Sequence, residues 1–396
     1  MQSRRTFALW LFLFCLISPL TVAQVYKVTD LGPLAPTAIN NWGQVAGNLN
    51  GHAFIWTQWG SLNLGTLAGG TFSSALAIND FAEVAGTADG PYTVISPNPI
   101  VYGPNQECGD VPQPFVWTPT KGMRGLGTLG PVDLWAEEDW CVPYYGTGIN
   151  AHGEVVGYTS GYSTYQWALR WTSAGGMTLF GGSWNPTMVN GVSNTGQIVG
   201  QNSGEPDPFI GHATWWKNGI TTALVELGGG AGLGDYSSSA NGVNDQGQIV
   251  GWSTTTPVCP VVEFCYFDLA SFPIHAVLWT ASGDIVDLGT LLGDTLSTAL
   301  NINFLGQVIG SSGNTLGPQG AGETGGSGWG PAVPIAVIGR PFIWSQRSGM
   351  KDLNTLISAK SGWVLNSATG INFWGQIVGS GTRNGKPHGF LLTPKF

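Results

Sequence analysis

One ten-residue stretch, returning along most of the chain, restricts the possible folds more than any other feature. Ala38-Ile39-Asn40-Asn41-Trp42-Gly43-Gln44-Val45-Ala46-Gly47 recurs as variants beginning at Ala77, Gly148, Gly191, Gly242, Asn301 and Gly370. Self-similarity of this kind marks a repeat architecture. Each copy reads as a hairpin, in which apolar alternation runs into Ile-Asn, a short turn follows, Gly supplies a positive-φ position and Val or Ile alternation resumes. The Asn is expected to bond its own backbone two residues on, so the repeated Asn and Gly positions are read as structural.

A third strand ending in Trp follows each hairpin: His52 to Thr57, Gln113 to Thr118, Trp167 to Thr172, His212 to Lys217, His275 to Thr280 and Arg340 to Ser345. In the seventh copy, starting at His388, Leu392 stands in the Trp position. Fourth strands are read at the Leu-Gly segments around Leu64, Leu126, Leu179, Leu227, Leu288 and Leu353, one fewer than the hairpins. The spare copy lies at the front, as Val28-Thr29-Asp30-Leu31-Gly32. A four-stranded unit repeated seven times fits a β-propeller. An open solenoid would leave two strand edges unpaired. The expected fold is therefore all-β, a seven-bladed β-propeller of four-stranded antiparallel blades, closed by an N-terminal strand that completes the C-terminal blade.

These motifs resemble those of the bacterial extracellular HAF-repeat family. His52-Ala53-Phe54 matches its triplet fully, His212-Ala213 and His275-Ala276 match in part, and the Ile-Asn-x-x-Gly-x-Val-x-Gly and Leu-Gly-Thr-Leu elements also fit. The resemblance implies secretion and a propeller-like fold. It transfers no catalytic residue, because the shared positions are structural.

Residues 1–23 combine Arg4 and Arg5, an apolar run from Phe7 to Ile17 and Thr21-Val22-Ala23, and read as a signal peptide ahead of one propeller domain over 24–396. Ser3-Arg4-Arg5-Thr6-Phe7 also resembles a twin-arginine export motif. No later stretch is apolar for long enough to span a membrane. A formal net charge of -9 argues against a nucleic-acid partner. With 61 Gly and 18 Trp, the composition suits tight turns and aromatic layers. Cys108, Cys141, Cys259 and Cys265 survive cleavage after Ala23, an even number that implies disulfides with three possible connectivities. The favoured pairing joins Cys108 to Cys141 and Cys259 to Cys265.

In such a blade the turns joining strands one to two and three to four share a face, and here they are short throughout. The excess length lies on the opposite face, in 87–112, 130–147, 229–241, 252–273 and 311–339. Long loops on a rigid scaffold are where binding concentrates, so that face, acidic and aromatic by its residues, is expected to carry the site. The strongest candidate is the loop from Gly130 to Cys141, which gathers Asp133, Trp135, Glu137, Glu138, Asp139 and Trp140. Trp platforms with carboxylate acceptors suit a glycan or an extracellular protein. The same carboxylates could instead cleave a polysaccharide, which requires particular separations and raised pKa values. A solvated acidic loop is the bland alternative. His52, His212, His275 and His388 occupy one repeat position in different blades, which argues against a metal site. No phosphate loop, nucleophile elbow or His-Glu-x-x-His occurs, so no catalytic residue and no cofactor is assigned. A monomer is expected.

Overall fold

The computed structural model describes residues 25–94, 106–109, 111–129, 141–159, 166–181, 187–204, 207–228, 236–257, 272–317 and 336–395. They form seven antiparallel sheets arranged as the blades of a β-propeller. The inner strands are Ala35–Ile39, Ser73–Ile78, Tyr144–Ile149, Thr187–Val192, Ser238–Val243 and Leu296–Ile302, and in the seventh blade Trp363–Leu365 with Gly370–Ile371. Third strands include His52–Thr57 in the first blade and Lys386–Pro394 in the seventh. The second blade carries an extra hairpin, Tyr92–Val94 with Gln106–Cys108.

The ring closes as the spare strand predicts. Tyr26–Asp30 pairs antiparallel with Lys386–Pro394, from Tyr26 opposite Pro394 to Asp30 opposite Phe390. Tyr26 and Leu31 are buried there, and Leu31 N–H donates to the Gly389 carbonyl at 2.9 Å.

Apolar packing lies chiefly between neighbouring blades, and the Trp of the third strand is its recurring element. Trp117 packs with Ala53, Ile55 and Leu64 of the first blade, Trp171 with Ala85 and Val116 of the second, and Trp216 with Val156 and Ala168 of the third. Trp279, Trp344 and Trp56 repeat the arrangement, and Leu392 takes the Trp place against Ile309 of the sixth blade. Large rings dominate such burial.

Two fourth-strand assignments need correction. In the fourth blade the outer strand is Ile220–Ala223, and Leu224 donates its N–H to the Ala213 carbonyl at 2.8 Å as Leu64 does to Ala53. Leu224, rather than Leu227, therefore fills the repeat position, and Glu226 turns inward to His212. In the sixth blade the strand ends at Asp352, whose side chain caps a single 3-10 turn over Leu353–Leu356.

Candidate functional site

The hairpin Asn is a four-way junction. Asn40 Oδ1 accepts from the backbone N–H groups of Trp42 and Gln44, while its Nδ2 donates to Gln44 Oε1 at 2.7 Å and to the Asn79 carbonyl of the next blade at 3.0 Å. All four bonds that a side-chain amide can make are thus used. Asn79, Asn150, Asn244, Asn303 and Asn372 repeat the outward bond, the last reaching the Asn40 carbonyl. The circle is broken where Ser193 replaces Asn, because its Oγ accepts from Gln197 N–H and does not reach the fifth blade.

Three residues before each junction, the inner strand bulges. The pairing register skips Thr37, Leu76, Thr147, Asn190, Asn241 and Leu300 in the first six blades. A bulge re-aims the unpaired residue. Here the re-aimed side chains, with Thr369 of the seventh blade, line a central cavity of about 940 Å³. Tyr158 also lines it, its ring tilted 33° to that of Tyr145 with centroids 5.3 Å apart. Burial pushes the Tyr158 phenol up to about 12, so it stays a protonated donor.

The cavity reaches the hairpin tips and opens on the short-turn face. Its rim consists of Asn41, Asp80, Ala151, Asn194, Asp245, Phe304 and Phe373. The rim has two characters. Asn41 donates through its N–H and Nδ2 to the two carboxylate oxygens of Asp80, and Asn194 does the same to Asp245. Over the sixth, seventh, first and second blades, Phe304, Leu305, Phe373, Trp374, Trp42 and Phe81 are exposed. The turns on this face are short, yet their tips themselves carry large exposed side chains. In the sequence these side chains occupy the variable x-x positions of the repeat, where turn chemistry alone gives no sign of exposure.

The His residues find carboxylates, as structural pairs. His275 Nδ1 lies 2.9 Å from Asp287 and His388 Nδ1 lies 2.8 Å from Asp30, each across the pairing of third and fourth strands. His212 pairs with buried Glu226 at 2.9 Å, and Arg340 takes the same place opposite Asp352. In the first blade Asn63, paired with Phe54, stands where Asp287, Asp30 and Asp352 stand in theirs, and His52 Nδ1 is buried without a hydrogen-bond partner. Among the described residues no group of three or more His, Cys, Asp or Glu is placed to hold a metal ion.

Every Asp and Glu whose side chain is described accepts a hydrogen bond from the protein, as Glu83 does from Asn79 and Glu154 from Asn150 and Arg170. Burial acts to raise the pKa values of Asp30, Asp89 and Asp287, but hydrogen bonds outweigh it and hold all three below the usual carboxylate range. A general acid for glycoside cleavage needs the opposite displacement.

Cys108 and Cys141 form a disulfide that ties the inserted hairpin of the second blade to the chain entering the third. Asp133, Trp135, Glu137, Glu138, Asp139 and Trp140 lie outside the described residues, as do Cys259, Cys265 and residues 1–23, where a signal peptide is expected. No helix among the described residues is long and apolar enough to cross a membrane.

No family model and no curated protein matches this chain. Among solved structures, an oligogalacturonate lyase determined in complex with manganese is similar at 10% identity over 94% of each chain, with a TM-score of 0.51. At that identity the likeness is one of fold alone. A gluconolactonase from Xanthomonas campestris is also similar at 10% identity, over 94% of this chain and 91% of its own, with a TM-score of 0.38.

Proposed function

We propose that this protein is an exported binding module that holds a glycan or an extracellular protein without transforming it. The observation that carries the reading is the channel mouth, where exposed aromatic side chains of the sixth, seventh, first and second blades lie beside rim Asn and Asp residues. Concave sites that join apolar surface to a few fixed polar groups are the usual form of a ligand site. The described carboxylates are engaged in holding turns and blade seams, which suits binding better than acid-base chemistry. Export accords with the disulfide, since such bonds persist in oxidising compartments. The HAF-repeat resemblance agrees, because the shared residues are those that build blades. The loop carrying Asp133, Trp135 and Trp140, anchored next to Cys141, is a second contact surface under the same proposal.

A second reading, polysaccharide cleavage by loop carboxylates, has some support in the fold shared with an oligogalacturonate lyase. One experiment separates the two. The mature protein is screened on a glycan array and against secreted proteins. Reducing-sugar release and the ultraviolet absorbance of unsaturated products are followed on the same polysaccharides. Binding without release is expected, and catalytic release of sugar overturns the proposal.

A further inference from the structure

Two tryptophans, each next in sequence to a rim residue, Asn41 or Phe373, have their indole N–H groups already engaged. Trp42 Nε1 donates to the Asp80 carbonyl at 2.9 Å and Trp374 Nε1 donates to the Asn41 carbonyl at 3.0 Å. Each indole N–H therefore reaches the next blade and fixes its ring. Even so, Trp42 is 77% exposed and Trp374 is 59% exposed. Phe373 meets Trp374 edge-on at 5.0 Å and Phe304 at 5.9 Å, which extends the aromatic arc across the sixth and seventh blades. Rings immobilised before any ligand arrives lower the ordering cost of binding.

We propose that this mouth binds a neutral glycan, with pyranose rings stacked on Trp42 and Trp374 and sugar hydroxyls donating to Asp80 and Asp245. The inference rests on the binding-module reading and gives it a site and a ligand class. Stacking follows from shape and polarity, since a pyranose presents a patch of C–H groups flat enough to cover an indole face. Each rim carboxylate has about four acceptor sites, and Asn41 or Asn194 occupies two of them. The remainder point to hydroxyl donors.

Charge selects against acidic sugars. The hairpin tips contribute Asp80 and Asp245 and no Lys or Arg, while Lys217 donates to Thr195 Oγ1 at 3.3 Å. A uronate chain would meet carboxylates at the rim. A second copy of this face is the other obvious occupant, and its test is the oligomeric state.

The test is calorimetric titration of the mature protein with neutral hexasaccharides of glucose, mannose, xylose and galactose, and with oligogalacturonate of equal length. A neutral series should bind in preference to oligogalacturonate. Trp42→Ala and Trp374→Ala should each weaken that binding by about tenfold or more, and, being exposed, should shift the melting temperature by no more than about 2 °C. Unchanged affinity in both variants overturns the site, and loss in Trp135→Ala with Trp140→Ala would move it to the long-loop face. Preferential binding of oligogalacturonate overturns the ligand class. So does a dimer in light scattering that Trp42→Ala dissociates. A protein ligand without any glycan ligand would sink this inference and leave the binding-module reading standing.

Discussion

Within the repeat, two Gly positions and one Ala show how closely residue type follows geometry. The first Gly of the motif lies in the left-handed region, at φ 74° for Gly43 and 69° for Gly153. The last Gly serves a different need. A Cβ on Gly157 would sit 1.8 Å from the Tyr145 carbonyl, and one on Gly251 would sit 1.8 Å from that of Ser239. These contacts arise beside the inner-strand bulge, so the residue is Gly for want of space. Ala82 occupies the first position in the second blade at φ 59°, where an L side chain is disfavoured. Ala82→Gly should stabilise the protein by about 1 kcal/mol, measured by denaturant unfolding. A loss of stability would show that the Ala82 methyl contributes more through contacts than its backbone strain removes.

The seams between blades act at the scale of the element. Six Asn side chains bridge to the next blade, and the seam after Ser193 relies on Asn190 Nδ2 to the Ala240 carbonyl and on Asn194 with Asp245. Ser193→Asn should complete the circle and add about 1 kcal/mol. Asn150→Ala, which strands buried backbone groups, should cost about 2 kcal/mol or more. Equal melting temperatures for Ser193→Asn and the parent would show that this seam gains nothing from the bridge. The closing blade has an ionic seam, in which Asp30 of the N-terminal strand accepts from His388 and Arg383. Burial would raise the Asp30 pKa, yet bonds from His388, Gly32 and Arg383 hold it below its ordinary 3.8. A depressed folded value means that the contribution is complete above the unfolded value and is lost as pH falls through the folded one. The stability gap between the parent and Asp30→Asn should therefore be constant near neutrality and shrink below about pH 4. A gap that persists unchanged at pH 2 would show that the charge of Asp30 is immaterial to closure.

For the molecule as a whole, closure joins the two chain ends through one sheet. Deleting residues 25–31 would remove buried Tyr26 and Leu31 and expose the edge of Lys386–Pro394. Each lost core side chain costs roughly 2 to 5 kcal/mol. Melting should fall by about 10 °C or more, followed by circular dichroism, and the open edge should promote self-association. A truncated protein that melts like the parent would mean that the ring is held by inter-blade packing alone.

Blade number, strand content and the split closing blade were legible in the sequence because they depend on local periodicity and turn chemistry, which each repeat states independently. Asn40 and its equivalents were legible as turn openers for the same reason, and the Trp residues as ends of the third strands. Only the tertiary structure decided what depends on the neighbouring blade. Asn40 reaches the Asn79 carbonyl across a separation of 39 residues, which no reading of one hairpin contains. The bulges that turn Thr147, Asn190 and Asn241 into the channel look in sequence like breaks in apolar alternation. The placement of Trp42, Trp374, Phe373 and Phe304 on one arc depends on ring closure, since it sets side chains more than 300 positions apart side by side. Repetition fixes the unit through short-range physics, whereas the channel mouth is assembled by seven units at once.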